Sequence, residues 1–151
     1  MTNPRMSRFY MEEARGRTEL VRLALERHLW ATVVREAQEC VELFLKGALR
    51  CVAVEPARTH DVADILRREV NRFPEWLRPH VQRLASISAQ MAADRGLAFY
   101  GDERQQTGPQ ELFDESDARR CVEEMELVES LRTRLLDATP ADPHPEETPG
   151  Q

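Results

Sequence analysis

Apolar residues return at steps of three and four between positions 33 and 52: Val33, Ala37, Cys40, Val41, Phe44, Ala48, Cys51 and Val52 fall on one side of an α-helix. A strand would need alternation at every second position, and this stretch has none. The stripe is wide and carries no charge, so the helix it describes must be covered along its length by other elements. That requirement predicts an all-α chain in which this second helix is the most buried and the others pack around it.

The rest of the chain supplies those partners. A first helical pattern runs from about Ser7 to Trp30, with Phe9, Tyr10, Ala14, Val21, Ala24, Leu25 and His28 near one face. Glu55-Pro56 closes the region of the second helix, because the residue before a proline is pushed out of helical backbone angles. Thr59 then reads as the N-cap of a short helix carrying Val62, Ile65 and Leu66, with Asp61 suited to its positive end. Phe73-Pro74 ends it. A fourth helix starts near Pro79 and reaches about Phe99, its stripe formed by Val81, Leu84, Ala85, Ser88, Met91, Ala92, Ala98 and Phe99. Gly101 to Glu115 reads as a long loop, and loops of that length inside a compact domain are functional or mobile. Asp114 or Ser116 caps a last helix with Ala118, Cys121, Val122, Met125, Val128, Leu131 and Leu135 on one side. The expectation is a single domain over residues 1–137, an up-and-down bundle of about five helices with no internal repeat.

From residue 138 the composition changes to ATPADPHPEETPGQ, proline-rich and acidic with nothing large and apolar, which reads as a disordered tail over 138–151. The tail holds Asp142, Glu146 and Glu147 and no Lys or Arg, so the 27 acidic residues of the chain less these three leave 24 against 21 basic ones in the body. A body so nearly balanced lacks the broad basic surface that drives sequence-independent duplex binding, and any nucleic acid must bind at a local patch. Cys40, Cys51 and Cys121 lie far apart within apolar helical patterns, without metal-ligand spacing, and read as buried thiols of a reducing compartment. No stretch approaches the roughly 20 apolar residues of a membrane span, and MTNPRMSRFYMEEARGR lacks the apolar core of a secretion signal. A cytoplasmic protein without membrane contact is expected.

One residue breaks the pattern. Arg95 falls in the apolar stripe of the fourth helix, at helical spacing from Ser88, Met91 and Ala92. A guanidinium does not lose its charge, so on such a position it must meet a carboxylate, backbone carbonyls or a bound anion. The second helix offers a polar strip beside its apolar one, with Glu36, Glu39, Lys46 and Arg50. Either Arg95 makes a structural salt bridge there, or it belongs to a cleft or interface. Tyr100, Asp102 and Glu103 follow closely and could orient a ribose or phosphate or move a proton, or could simply form a helix end with a turn at Gly101. His60, in Thr-His-Asp, reads as a first-turn hydrogen-bonding residue rather than a catalytic one; His28 and His80 lie on separate helices and His144 in the tail. No HExxH, no His/Asp/Glu cluster and no Gly-rich phosphate loop occurs, so neither a metal nor another cofactor is expected.

The stretch EAQECVELFLKGAL at 36–49, followed by Pro56-Ala57-Arg58-Thr59-His60-Asp61-Val62, resembles the HEPN (higher eukaryotes and prokaryotes nucleotide-binding) domain, whose second helix carries a glutamate and an "LKA" and whose next helix opens on "THDL". Ala93-Asp94-Arg95, the segment from Tyr100 to Glu103 and the closing helix fit the end of that domain, so the resemblance spans about residues 8 to 137. It implies a helical bundle paired as a homodimer with a cleft between protomers. Many members of the family are metal-independent ribonucleases built on an arginine followed by a histidine a few residues on. Others bind nucleotides or are non-catalytic partners of a small nucleotidyltransferase in a toxin–antitoxin pair. The arginine of the motif maps onto Arg95; where the histidine belongs stands Tyr100, with four residues between, and a phenol is a poor general base at neutral pH.

Three functions follow as expectations. The first is a module binding a nucleotide or an RNA phosphate in a cleft lined by Arg95, Tyr100, Asp102, Glu39 and Lys46. The second is a ribonuclease toxin in which Arg95 and Tyr100 are catalytic. The third is a structural helical adaptor in which Arg95 only ties two helices together.

Overall fold

The computed structural model describes residues 4–138. Six α-helices follow in order: α1 (Pro4–Glu26), α2 (Trp30–Cys51), α3 (Ala63–Arg68), α4 (Arg78–Tyr100), α5 (Pro109–Leu112) and α6 (Glu115–Ala138), with one 3-10 turn at Val70–Arg72 between α3 and α4. Among the described residues there is no strand, only an isolated bridge between Asp102 and Thr107. The fold is all-α, as the periodicity requires. The tail expected over 138–151 lies, beyond Ala138, outside the described residues.

Helix α2 is the hub, packed on α1, α4 and α6. Val33, Ala37, Cys40, Val41, Phe44 and Ala48 of its stripe are all buried, and so are Leu45 and Leu49 beside it. Each large apolar side chain removed from water here contributes about 1.5–3 kcal/mol before its ordering cost. Phe73, from the connection after the 3-10 turn, and Leu77 complete this core at the foot of α4.

The buried face of α1 differs from the expected one. It runs Ser7, Met11, Ala14, Thr18, Val21 and Ala24, whereas Phe9 is 63% exposed. The hydroxyl of Ser7 decides this, since it donates to the carbonyl of Gly47 at 2.8 Å where the two helices cross. No side chain stands between the backbones there: a Cβ on Gly47 would lie 2.8 Å from Met11 Cγ and 3.2 Å from the Ser7 carbonyl oxygen.

Helix α1 also stops at Glu26 rather than near Trp30. His28 takes a left-handed backbone (φ 57°) while Leu29 N donates to Ala24 O and His28 N to Leu25 O, the paired bonds that close a helix end. His28 is therefore a turn residue, its ring stacked on Trp30 at 5.0 Å, and not part of the apolar stripe. Helix α2 ends in the same way at Ala53 (φ 64°), with Val54 N bonded to Leu49 O and Ala53 N to Arg50 O, before Pro56 is reached.

Thr59 does not cap α3: Val62 holds the N-cap position, and Asp61 just before it serves the first free amide. Its carboxylate accepts from Ala63 N at 2.8 Å, while the Thr59 hydroxyl donates to the Asp61 carbonyl at 3.0 Å. Ser88 of α4 then fastens this start to the bundle, accepting from Val62 N at 3.0 Å and bonding Asp61 Oδ1 at 3.3 Å. At the far end of α4, Gly101 (φ 74°) turns the chain, and a Cβ there would collide with the Thr107 carbonyl oxygen at 2.3 Å. The segment expected as a loop is built from that turn, the Asp102–Thr107 bridge and the single turn of α5. Asp114 and Asp117 exchange side-chain to backbone hydrogen bonds at 2.9 and 3.0 Å and open α6.

Among the described residues no helix is long and apolar enough to cross a membrane. Cys40 and Cys121 are buried, which pushes their thiols up to about 12 and about 11 respectively. Cys51 is half-buried with its sulfur 2.7 Å from the Ser7 hydroxyl.

Candidate functional site on the polar strip of α2

Gln38, Glu42 and Lys46 follow one another at steps of four, and Glu39 lies three before Glu42, so they form a second stripe on α2 beside the apolar one. Helix α4 lies along this edge, and the Ala92–Arg95 spacing turns Arg95 onto it. Its side chain is only 21% exposed, and Nη1 donates to both Gln38 Oε1 and Glu39 Oε1. The guanidinium carbon lies over the ring of Phe99, one turn on, at 4.9 Å from the centroid. Arg35, one turn before Glu39 on α2, meets the same ring at 4.8 Å. Two permanent cations thus converge on one aromatic ring that is itself 37% exposed.

From Arg95 a row of hydrogen bonds continues along α2. The Gln38 amide is buried, and with its oxygen held by the guanidinium its nitrogen donates to Glu42 Oε2 at 2.7 Å. The same carboxylate receives Lys46 Nζ on Oε1 at 2.8 Å and lies 2.9 Å from His60 Nδ1 through Oε2. Burial alone would push the Glu42 carboxyl up, but donors from Lys46, Gln38 and His60 outweigh it and hold the group below its ordinary value. Glu42 is therefore a fixed anion at neutral pH, with cationic or protic side chains around it on three sides.

The structure brings Arg95, Glu39 and Lys46 onto this one strip. Tyr100 stands at its outer end, 77% exposed, with its ring 5.8 Å from that of Phe99. Asp102 is turned into its own loop, where its Oδ1 accepts from Arg104 N at 3.0 Å and Gln105 N at 3.2 Å. Glu36, a candidate partner of Arg95, faces Arg17 and Arg35 instead, each at 3.6 Å. Arg50 pairs with Glu55 at 2.8 Å and lies over Tyr10.

Gln38, Glu42, Arg35 and Phe99 were not among the residues expected here. The repeated step of four from Gln38 to Glu42 to Lys46 is a signal that sequence alone carries. His60 belongs to this row too, rather than to the first turn of α3. Its partner is 18 positions away across a reversal of the chain, and no local pattern reports that. Among the described residues no group of three or more His, Cys, Asp or Glu is arranged to hold a metal ion.

The strip can do two things chemically. Its Arg35–Arg95 end offers guanidinium donors and exposed rings to an anion with a flat face. Its Glu42 end offers an imidazole with one nitrogen fixed by a carboxylate. A family model described as HEPN domain matches residues 7–135, nearly all of the described helices. No curated protein and no solved structure matches the chain.

Proposed function

The chain belongs to the HEPN domain family, and from that premise we propose that it is a cytoplasmic nucleotide- or RNA-phosphate-binding module whose ligand sits at the α2–α4 edge. The observation that carries the reading is the meeting of Arg35 and Arg95 on Phe99. Two guanidinium groups gathered at one ring offer donors to a phosphate, and guanidinium recognises such oxyanions by geometry as well as by charge. Phe99 and the more exposed Tyr100 supply ring faces on which an unpaired base stacks, a sequence-tolerant contact. Glu39 and Gln38 hold Arg95 in place, and Lys46 extends the donor row toward Glu42. Asp102 acts indirectly, fixing the turn that carries Tyr100.

The module works as a homodimer. Leu20, Leu23 and Leu29 are half-exposed around a groove of about 360 Å³ between α1 and the start of α2, an apolar surface suited to a protein contact. A small nucleotidyltransferase is its partner in a toxin–antitoxin pair, reading or modifying the same polar edge.

Titration of the purified protein with nucleotides and short single-stranded RNA tests the reading. Wild type binds, and Arg95→Ala abolishes binding while the far-UV circular dichroism of the bundle is unchanged. A wild-type protein that gives neither heat nor shift with any of these ligands overturns it.

A further inference from the structure

We propose that the cleft between α1 and the last turns of α6 is a second binding site, for a small zwitterion of the amino-acid class, with Arg132 taking its carboxylate and Glu12 and Asp137 its ammonium group. The cleft lies on a different seam from the α2–α4 edge and stands independently of the ligand proposed there.

The starting point is a second arginine on an apolar stripe. Arg132 comes seven positions after Met125, four after Val128 and three before Leu135, all of them buried, and its own side chain is only 5% exposed. A guanidinium so placed needs acceptors around it. It lacks them: Nη1 is enclosed with no hydrogen-bond partner among the described residues, and Nη2 stands 3.7 Å from Glu129 Oε1, beyond hydrogen-bond reach. Burial pushes the Cys40 thiol up, and Arg132 is the strongest charge opposing that push, which puts the cation at the junction of α1, α2 and α6.

Arg132 borders a cavity of about 420 Å³, walled by Arg8, Glu12 and Arg15 of α1 and by Glu129, Thr133 and Asp137 of α6. That volume falls within the roughly 300–1,000 Å³ of small-molecule sites. Glu12 and Arg15 are more than half exposed, so they form the mouth and Arg132 the floor.

The charges of the wall choose the ligand. Three guanidinium groups face three carboxylates. A bare anion is drawn to Arg132 but repelled by the carboxylates near it, and a bare cation meets the reverse. A ligand with both charges gains from both sets. The pairs within the wall are open, Arg15–Glu12 at 4.0 Å and Arg132–Glu129 at 3.7 Å, so these groups keep hydrogen-bonding capacity for a guest. Glu129 is part of the frame instead: its Oε2 receives Arg22 Nη2 at 2.8 Å, and Arg22 Nη1 donates to Thr18 at 3.1 Å. The Thr133 hydroxyl donates to the Glu129 carbonyl at 3.1 Å and so acts toward a guest as an acceptor, which suits an ammonium group. A carboxylate at the floor supplies the acceptor that Arg132 lacks, in the charge-assisted form a guanidinium holds best.

The test is isothermal titration of the full chain with each of the twenty standard amino acids, and with acetate, inorganic phosphate and methylammonium at the same ionic strength. The expected result is one amino acid or more bound at one site per chain, at least tenfold more tightly than any of the three single-charge probes. Arg132→Met abolishes this binding with the melting temperature held or raised, because apolar replacement of a poorly paired buried charge is often neutral or better. Glu12→Gln, at the exposed mouth where the fold does not depend on it, weakens binding about tenfold. Arg95→Ala binds amino acids as wild type does, which separates this site from the α2–α4 edge. Absence of binding by all twenty overturns the proposal. So does acetate or phosphate bound as tightly as the best amino acid, which would make the cleft a plain anion site. Unchanged affinity in R132M or in E12Q overturns it too, and E12Q decides alone should R132M not fold.

Discussion

The Arg95 guanidinium and the Glu39 carboxylate are paired across the seam between α4 and α2, with both side chains still about a quarter exposed to solvent. An incoming phosphate must share Arg95 with an anion already there. Replacing Glu39 by Gln keeps the oxygen that orients the guanidinium and removes the competing charge. E39Q is expected to tighten nucleotide binding about fivefold, close to the roughly 1 kcal/mol of a solvent-accessible ion pair. E39A, which also loses the orientation, binds no better than wild type. Isothermal titration of the three proteins at one ionic strength decides it, and equal or weaker binding by E39Q counts against a phosphate at Arg95.

Lysine is a poor replacement for Arg95. The Nη1 contacts to two acceptors and the position over Phe99 are made by a branched, planar guanidinium, whose shape an ammonium lacks. R95K should therefore weaken ligand binding about tenfold, while its melting temperature stays within a few degrees of wild type. Undiminished binding by R95K would mean that a point charge suffices and that the fork geometry is incidental.

Glu42 gives the fold a pH dependence of definite sign. Its folded carboxyl titrates below the ordinary 4.5, so its contribution to stability is complete above that value and is lost as pH falls through the lower folded one. E42Q should be less stable than wild type at pH 7 by about 1–2 kcal/mol, the net worth of hydrogen bonds to a charged group. The gap should close as the pH is lowered below 4.5. Urea midpoints at pH 7 and pH 3.5 measure it.

Glu124 has the opposite sign. It is 9% exposed on α6, burial pushes its carboxyl up, and its Oε2 has no hydrogen-bond partner; Arg83 approaches only to 3.9 Å. The charged form is thus disfavoured in the fold above its raised pKa, and the cost disappears below 4.5, where both states are protonated. E124Q should be more stable than wild type at pH 7, by about 1 kcal/mol, with the advantage fading toward pH 4. A drop in melting temperature at pH 7 would show that Arg83 stabilises the carboxylate after all.

Two glycines in the same helix pair should respond in opposite directions. G47A places a methyl group against Met11 Cγ and the Ser7 carbonyl, and is expected to cost about 1–3 kcal/mol as α1 and α2 are forced apart. Gly16 in α1 has nothing within 4 Å of an added Cβ, so G16A should instead stabilise by about 0.5–1 kcal/mol. Thermal melts of the two variants side by side test the crossing.

How much of this was legible in the chain follows from which forces are local. The helices and the core stripe of α2 could be read because burial and helical period both act within a few residues, as at Val33, Ala37 and Phe44. Arg95 stood out for the same reason, a charge at an apolar spacing. The ends of α1 and α2 could not be read, since His28 and Ala53 adopt left-handed angles that neither residue type announces. The thin face of α1 was misjudged because Ser7 is buried by its bond to Gly47, a contact 40 positions distant. The same limit hid the His60–Glu42 pair, whose two halves were each in view.

One helix carries both stripes. A residue inserted or deleted in α2 ahead of Gln38 would rotate both stripes together by about 100° against the rest of the bundle, the turn of a single residue, burying Glu42 or exposing Phe44. Recognition and stability are therefore geared to a common phase, and a variant that alters the ligand while sparing the bundle has to be sought elsewhere. The last turn of α4 and the connection bearing His60 are the places where the protein is free to change its preference.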